Sequence, residues 1–262
     1  MKDHGIQERS IRKVGESYIT LEGPGIPIRR PLPTRMVGPE EVDPMLMLDH
    51  AELDEMPTLY AGQGTHRHRG FEVITYVLTG SVDDQPGDGP IQHIEAGGLQ
   101  MITTGSGISH GGAPSEGGGG PVGALQIWIN LAQKDKKLKP ESQVVDAREI
   151  PEVKTATSLA RVLVGPGSPT RLHTPALMLD VSVQPGGEFE WDIPRAYQGY
   201  AYLLRGEGNF GAEGAPVKAT EIAVLGEGER LKVKAGSQGM RFFLAAGQPH
   251  NEPIHWTGPY VD

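Results

Sequence analysis

The apolar positions of this chain fall into short runs separated by glycine and proline. Phe71 to Leu78 is apolar on both alternating faces, as expected for a strand covered on each side rather than exposed at a surface. Ile91 to Ile94, Leu99 to Thr103 and Ala124 to Leu131 continue the β pattern, and Val42 to His50, an apolar run between acidic ends, reads as a strand at a barrel edge. Residues 1 to about 45 alternate short β-like runs with Pro/Gly turns, which disfavours helix. Val82 to Pro90 is a turn cluster. Residues 133–160 are Lys-rich and Pro-containing, and read as a connector with room for a short helix. The β pattern then resumes at Arg161 to Val164, Leu177 to Val183, Gly199 to Leu204, Glu221 to Leu225, Leu231 to Lys234 and Met240 to Ala245.

The two halves echo one another. Tyr76-Val77-Leu78-Thr79-Gly80 aligns with Tyr202-Leu203-Leu204-Arg205-Gly206, and Gly123 to Leu131 more loosely parallels Gly239 to Gly247. A duplication giving two similar antiparallel β-barrels is the simplest account. In the same alignment His66 meets Asp192, His68 meets Pro194 and Glu72 meets Gln198, so the second barrel is expected to carry no equivalent site.

Composition supports an all-β chain, because 37 glycines and 22 prolines are spread between the apolar runs. With 262 residues there is room for one large or two ordinary domains and a core that needs no staple. The chain has no cysteine, which rules out thiolate chemistry and, with no apolar run long enough to span a bilayer, leads us to expect a cytoplasmic protein with no membrane contact. Lys and Arg number 24 against 33 Asp and Glu, a net charge of −9 that argues against direct nucleic-acid binding. The basic cluster Lys134 to Lys139 reads as a solvated linker.

The candidate chemistry sits in Thr65-His66-Arg67-His68-Arg69-Gly70-Phe71-Glu72. In an extended chain residues i and i+2 project from one face about 7 Å apart, so both imidazoles can lean onto one ion. His110 follows the glycine-rich segment Gly105-Ser106-Gly107-Ile108-Ser109 and is the expected third ligand. Three histidines with open positions suit one divalent metal, Fe(II), Mn, Ni, Cu or Zn. Glu72 lies about 13 Å from His68 along an unbroken strand. It is therefore expected to be a supporting carboxylate paired with Arg67 or Arg69, unless a bulge at Gly70 shortens that distance. Glu116, in a run of glycines, is an exposed loop acid that could swing inward. The loop Thr103 to Gly112 lacks the Gly-Lys-Ser/Thr ending of a phosphate cradle. Trp128, Trp191 and Trp256 read as core or lid aromatics, and the remaining histidines as surface or satisfied core residues.

These segments resemble a known family. His66 to Glu72 with Thr75 to Leu78, then Gly98 to Met101, Gly105 to His110 and Leu125 to Leu131, are similar to the pirin family of the cupin superfamily. Asp43 to His50 resembles the stretch ahead of its histidine pair, and Pro175 to Asp180, Phe242 to Gly247 and Glu252 to Val261 resemble its second domain. The resemblance implies a bicupin of two facing antiparallel barrels. We expect a metal-binding barrel at 1–132, a connector at 133–160 and a barrel without ligands at 161–262. It implies one metal, usually iron, held by His66, His68, His110 and a glutamate two residues beyond the last histidine. Here that place is Gly112. In family members that cleave quercetin with O2 this glutamate is the expected base. One implied function is thus an Fe(II) dioxygenase of the quercetin 2,3-dioxygenase type acting on a small aromatic substrate. Its base would come from Glu72 or Glu116, or the substrate would enter already ionised. The other is a non-catalytic regulatory binding module with a degenerate site and a protein partner.

Overall fold

The computed structural model describes residues 6–22, 25–54, 65–114 and 120–262. Through the first half the strands are β1 (Ile11–Glu16), β2 (Tyr18–Glu22), β3 (Ile26–Leu32), β4 (Met45–Leu53), β5 (His66–His68), β6 (Phe71–Thr79), β7 (Ser81–Asp84), β8 (Gln92–Glu95), β9 (Leu99–Thr103), β10 (Ile108–His110), β11 (Gly112–Pro114), β12 (Val122–Asn130) and β13 (Glu141–Val145). The second half contains β14 (Glu152–Lys154), β15 (Ser158–Val164), β16 (Ala176–Val183), β17 (Glu188–Asp192), β18 (Gln198–Phe210), β19 (Ala215–Lys218), β20 (Glu221–Leu225) and β21 (Arg230–Gly247), followed by the hairpin β22 (Trp256–Thr257) and β23 (Tyr260–Val261). Helix among the described residues is confined to short 3-10 turns, at Pro39–Glu41, Gln133–Asp135 and Ala147–Glu149.

Two sheets carry the fold, and they share one order. The first runs β13-β9-β6-β12-β4-β3-β2 and the second β1-β20-β18-β21-β16-β15-β14, every pair antiparallel. Strand for strand this is the duplication expected from the internal echo. Among the described residues the ladders do not close into full barrels. In the first half, the smaller sheet β11-β7-β8 and the pair β10-β5 are separate from the seven-stranded sheet.

Hydrogen bonding does not follow the domain limits expected from composition. β1 leaves the first half to pair with β20, and β13, placed in the connector, pairs with β9. The stretch 42–50 also departs from the expected barrel edge. β4 lies between β12 and β3 with its first six residues buried, because its apolar side chains are needed on both faces. Nor is the basic cluster simply a solvated linker. Lys136 is buried and donates to the Gly70 and Val261 carbonyls and to Asn130 Oδ1, at 3.0, 3.2 and 2.8 Å. Burial brings it down to about 8, offset in part by the carboxylates of Asp262 and Glu252.

Alternation along the strands divides the core. Ile74, Tyr76, Leu99, Met101, Leu125 and Ile127 face the second half, where they pack with Tyr200, Tyr202, Val224, Phe243 and others in one buried cluster spanning both halves. Phe71, Val73, Ile102 and Trp128 face the opposite way and form a separate cluster with Leu46, Met47 and Val261. The interface carries a crossed pair of polar contacts. Arg29, His50, Leu125 and Tyr76 lie side by side across the first sheet, and Arg161, Asp180, Phe243 and Tyr202 occupy the matching row of the second. The Tyr76 hydroxyl donates to Asp180 Oδ2 at 2.6 Å, while the Tyr202 hydroxyl lies 3.0 Å from His50 Nδ1. Each tyrosine thus satisfies the polar residue of the other half, as burial of such groups requires.

Candidate metal centre

β5 and β10 pair antiparallel, with His66 directly opposite His110 and His68 opposite Ile108. The period of two places His68 on the same face as His66, so three imidazoles converge. One ring nitrogen of each lies within 4.8 Å of the others, and the ring centroids stand 4.5 to 5.1 Å apart. His68 and His110 are buried and His66 is exposed, which gives the cluster one open side. The turn leading to β10 depends on Gly105, whose φ is +42° and whose added Cβ would lie 2.1 Å from the Leu138 carbonyl oxygen.

The nitrogens of the two buried rings divide cleanly. His110 Nδ1 faces Asp84 Oδ1 and Oδ2 at 3.1 and 3.3 Å, and His68 Nδ1 faces the Pro259 carbonyl at 3.3 Å. Both acceptors require a proton on Nδ1, so in the neutral ring Nε2 is left with its lone pair. Those two Nε2 atoms are buried and have no hydrogen-bond partner among the described residues. Orphaned acceptors cost free energy unless something fills the gap between them, and a divalent cation is the group that two or three imidazole nitrogens fit. Burial first, then the proximity of His66 and His110, holds His68 down at about 3, against the opposing hydrogen bond to Pro259. A neutral ring is the form a metal requires.

Asp84 is held in turn. Its Oδ2 accepts from Gln100 Nε2 at 2.8 Å, that amide also donates to Gln92 Oε1, and Gln92 donates to Ser142. Asp84 was missed in the sequence because Asp83-Asp84-Gln85-Pro86-Gly87 reads as turn chemistry, and nothing in that run marks the second aspartate as buried. The wall behind the histidines is aromatic. Trp128 stacks on Phe71 at 4.3 Å and meets His68 edge-on at 4.8 Å, and Trp256 lies 5.8 Å beyond Trp128.

The candidate acids are not brought to this cluster. Glu72 lies on the opposite face of β6 from Phe71, fully buried, and accepts from Thr103 Oγ1 and from the backbone N–H groups of His173 and Thr174 in the second half. Burial raises it above the usual carboxylate range, with those backbone donors pulling the other way. The expected pairing with Arg67 or Arg69 is replaced by these bonds, and Arg69 pairs with Asp262 instead. Glu116 lies outside the described residues. Gly112 occupies β11, in register with Asp84. In the second half, Asp192 binds Arg230 at 2.6 and 2.9 Å, and Pro194 lines an open groove of about 520 Å3 with no histidine in its wall.

Comparison with known proteins agrees with this arrangement. The pirin family model matches residues 26–129, and that of the pirin C-terminal cupin domain matches residues 178–262. A pirin-like protein of Solanum lycopersicum is 37% identical over 246 residues, 92% of this chain and 82% of that protein. The chain belongs to the pirin family. Pirin of Homo sapiens is 31% identical over 96% of this chain and 88% of its own length. Among solved structures, a quercetin 2,3-dioxygenase from Acinetobacter baumannii superposes with a TM-score of 0.86 at 25% identity, covering 97% of this chain and 91% of that one. The cupin architecture of pirins thus accounts for both sheets. No helix among the described residues of this pirin-family chain is long and apolar enough to cross a membrane.

Proposed function

We propose that this pirin-family protein binds one divalent metal through His66, His68 and His110 and acts as a non-haem dioxygenase of the quercetin 2,3-dioxygenase type on a small aromatic substrate. The supporting observation is the pair of buried Nε2 atoms on His68 and His110, without a hydrogen-bond partner among the described residues and each with its Nδ1 already committed. Fe(II) is the metal best matched to O2 chemistry on such a donor set, though Zn, Mn, Ni and Cu share its ligand preferences. When bound, the metal would supply a Lewis-acidic centre with open positions for O2 and an oxygen of the substrate. The chain's own residues do the rest. Asp84 and the Pro259 carbonyl orient two of the rings, and Trp256, exposed and backed by the buried Trp128 and Phe71, offers an apolar aromatic face to a planar ligand. With Gly112 where the family glutamate stands and Glu72 turned to the other face, the substrate is read as entering already ionised.

The test is metal content of protein purified without an affinity tag, followed by O2 uptake with a flavonol. Near-stoichiometric iron and O2 uptake, both abolished in His66→Ala/His68→Ala, are expected. Uptake that survives this double substitution overturns the reading. Glycine at 112 also favours a second reading, a non-catalytic regulatory module with a degenerate metal site that binds a protein partner. An empty or nonspecifically occupied wild type, with no turnover of flavonols, would select it.

A further inference from the structure

The hairpin of β22 and β23 belongs to the second half of the chain yet lies against the first. Val261 is fully buried among Phe71, Val73, Ile102 and Trp128, its N–H donates to the Arg69 carbonyl at 3.0 Å, and its own carbonyl accepts from Lys136 Nζ. Arg69 completes the clasp by pairing with Asp262 at 2.6 Å while its guanidinium sits 5.0 Å over the Tyr260 ring. The fit is close enough to demand glycine at 70, where φ is +88° and a Cβ would stand 1.7 Å from the Val261 carbonyl oxygen. Trp256 lies against Trp128 and donates to the Gly258 carbonyl across the hairpin's own turn. Lys136 ties three segments together at once, since its three acceptors come from the β5–β6 turn, the end of β12 and the hairpin.

From the hairpin the chain presents the Pro259 carbonyl to the histidine cluster, 3.3 Å from His68 Nδ1. His110 receives a carboxylate from its own half, whereas His68 receives a neutral backbone acceptor from the other. An imidazole with no such partner exchanges its proton between the two nitrogens, and a proton on Nε2 would block the lone pair that faces His66 and His110. A carbonyl held rigidly at Nδ1 removes that alternative, as outer partners of metal-bound histidines commonly do.

We infer that the hairpin 256–261 is a strap from the second half that positions His68, its Pro259 carbonyl fixing the Nδ1–H tautomer so that Nε2 is presented to the metal. Pro259 is a positioning residue, and Lys136, Gly70 and Val261 hold it in place. The inference rests on the metal-site reading for its purpose, but its geometry stands apart from it. The second half, which has no histidine cluster of its own among the described residues, then finishes the first half's site.

The test uses full-length protein labelled with 15N-histidine, free of metal, and long-range 1H–15N correlation spectra that report which nitrogen of each ring holds the proton. Lys136→Met removes the tie to the Val261 carbonyl, and Val261→Asp expels the strap independently, so a failure of either variant to fold leaves the other. Expected are His68 in the Nδ1–H form in the wild type, a shift toward Nε2–H in the variants, and His110 unchanged in all because Asp84 still holds it. Zn2+ titrated by calorimetry should bind the variants about 10- to 100-fold more weakly. Nδ1–H at His68 in both variants with unchanged Zn2+ affinity would overturn the inference. So would His68 and His110 shifting together, which marks a general loosening rather than a strap. A wild type that binds no Zn2+ yet shows the strap-dependent tautomer would sustain the strap and defeat the metal reading instead.

Discussion

Asp84 shows how one residue can matter to a site without touching what the site holds. Its carboxylate faces His110 Nδ1 and is anchored by Gln100, so Asp84→Asn keeps the volume but weakens the acceptor and removes the charge. Metal affinity is expected to fall about 10- to 100-fold with little change in melting temperature, measured by competition against a chelator. His50 makes a different prediction. It is buried against Tyr202, and desolvation lowers it from the ordinary 6.5 to about 4. The fold thus prefers the neutral ring, and the unfolded chain takes up the proton first. Stability from this group is fully present above pH 6.5 and is lost as the pH falls toward 4. The loss is on the order of 1–3 kcal/mol. His50→Gln should flatten that part of the acid limb in urea-denaturation curves taken across the range, and an unchanged slope would contradict the assignment. The three candidate ligands were legible because a two-residue repeat and a glycine-rich approach are local patterns. The Pro259 carbonyl was not, because nearly two hundred residues separate it from His68 and a backbone acceptor leaves no mark on side-chain chemistry.

At the scale of the element, β6 was legible whole, whereas β5 was legible as extended chain but not as a strand apart from β6. Nine residues with apolar side chains on both faces announce a buried strand. The three residues of His66–His68 pair only with the equally short Ile108–His110 and carry no apolar signal. β4 was read as an edge because its flanking acids suggested solvent, whereas Asp43 accepts from the Asn251 N–H and Asp49 pairs with Arg30. The turn joining β5 to β6 can be tested directly. Gly70→Ala forces a side chain into left-handed backbone and against the strap, costing at least about 2 kcal/mol. A fall in melting temperature of several degrees is expected, with a larger relative loss of metal affinity than of stability.

For the whole molecule, the repeated strand order and the shared core make the halves mutually dependent. The duplication was legible from Tyr76 and Tyr202, but their crossed contacts were not, since alignment equates residues and says nothing of which half each side chain reaches. Tyr76→Phe leaves the buried Asp180 with Arg241 but without its hydroxyl donor, and about 1–2 kcal/mol of stability should be lost. Tyr202→Phe should cost a similar amount. Because both tyrosines lie in one buried cluster and Arg241 acts on both pairs, urea midpoints of the double variant should depart from the sum of the two losses.

The pairing of β1 with β20 has a consequence for how the protein is made. Ile11 emerges from the ribosome about two hundred residues before its partner Leu225. At translation speeds of about 5–20 residues per second the strand waits roughly 10–40 s with no edge of its own to join. During that interval any other nascent chain with an open edge is a competitor, so slower elongation and denser polysomes are expected to lower the yield of correctly assembled protein without changing the stability of the finished fold.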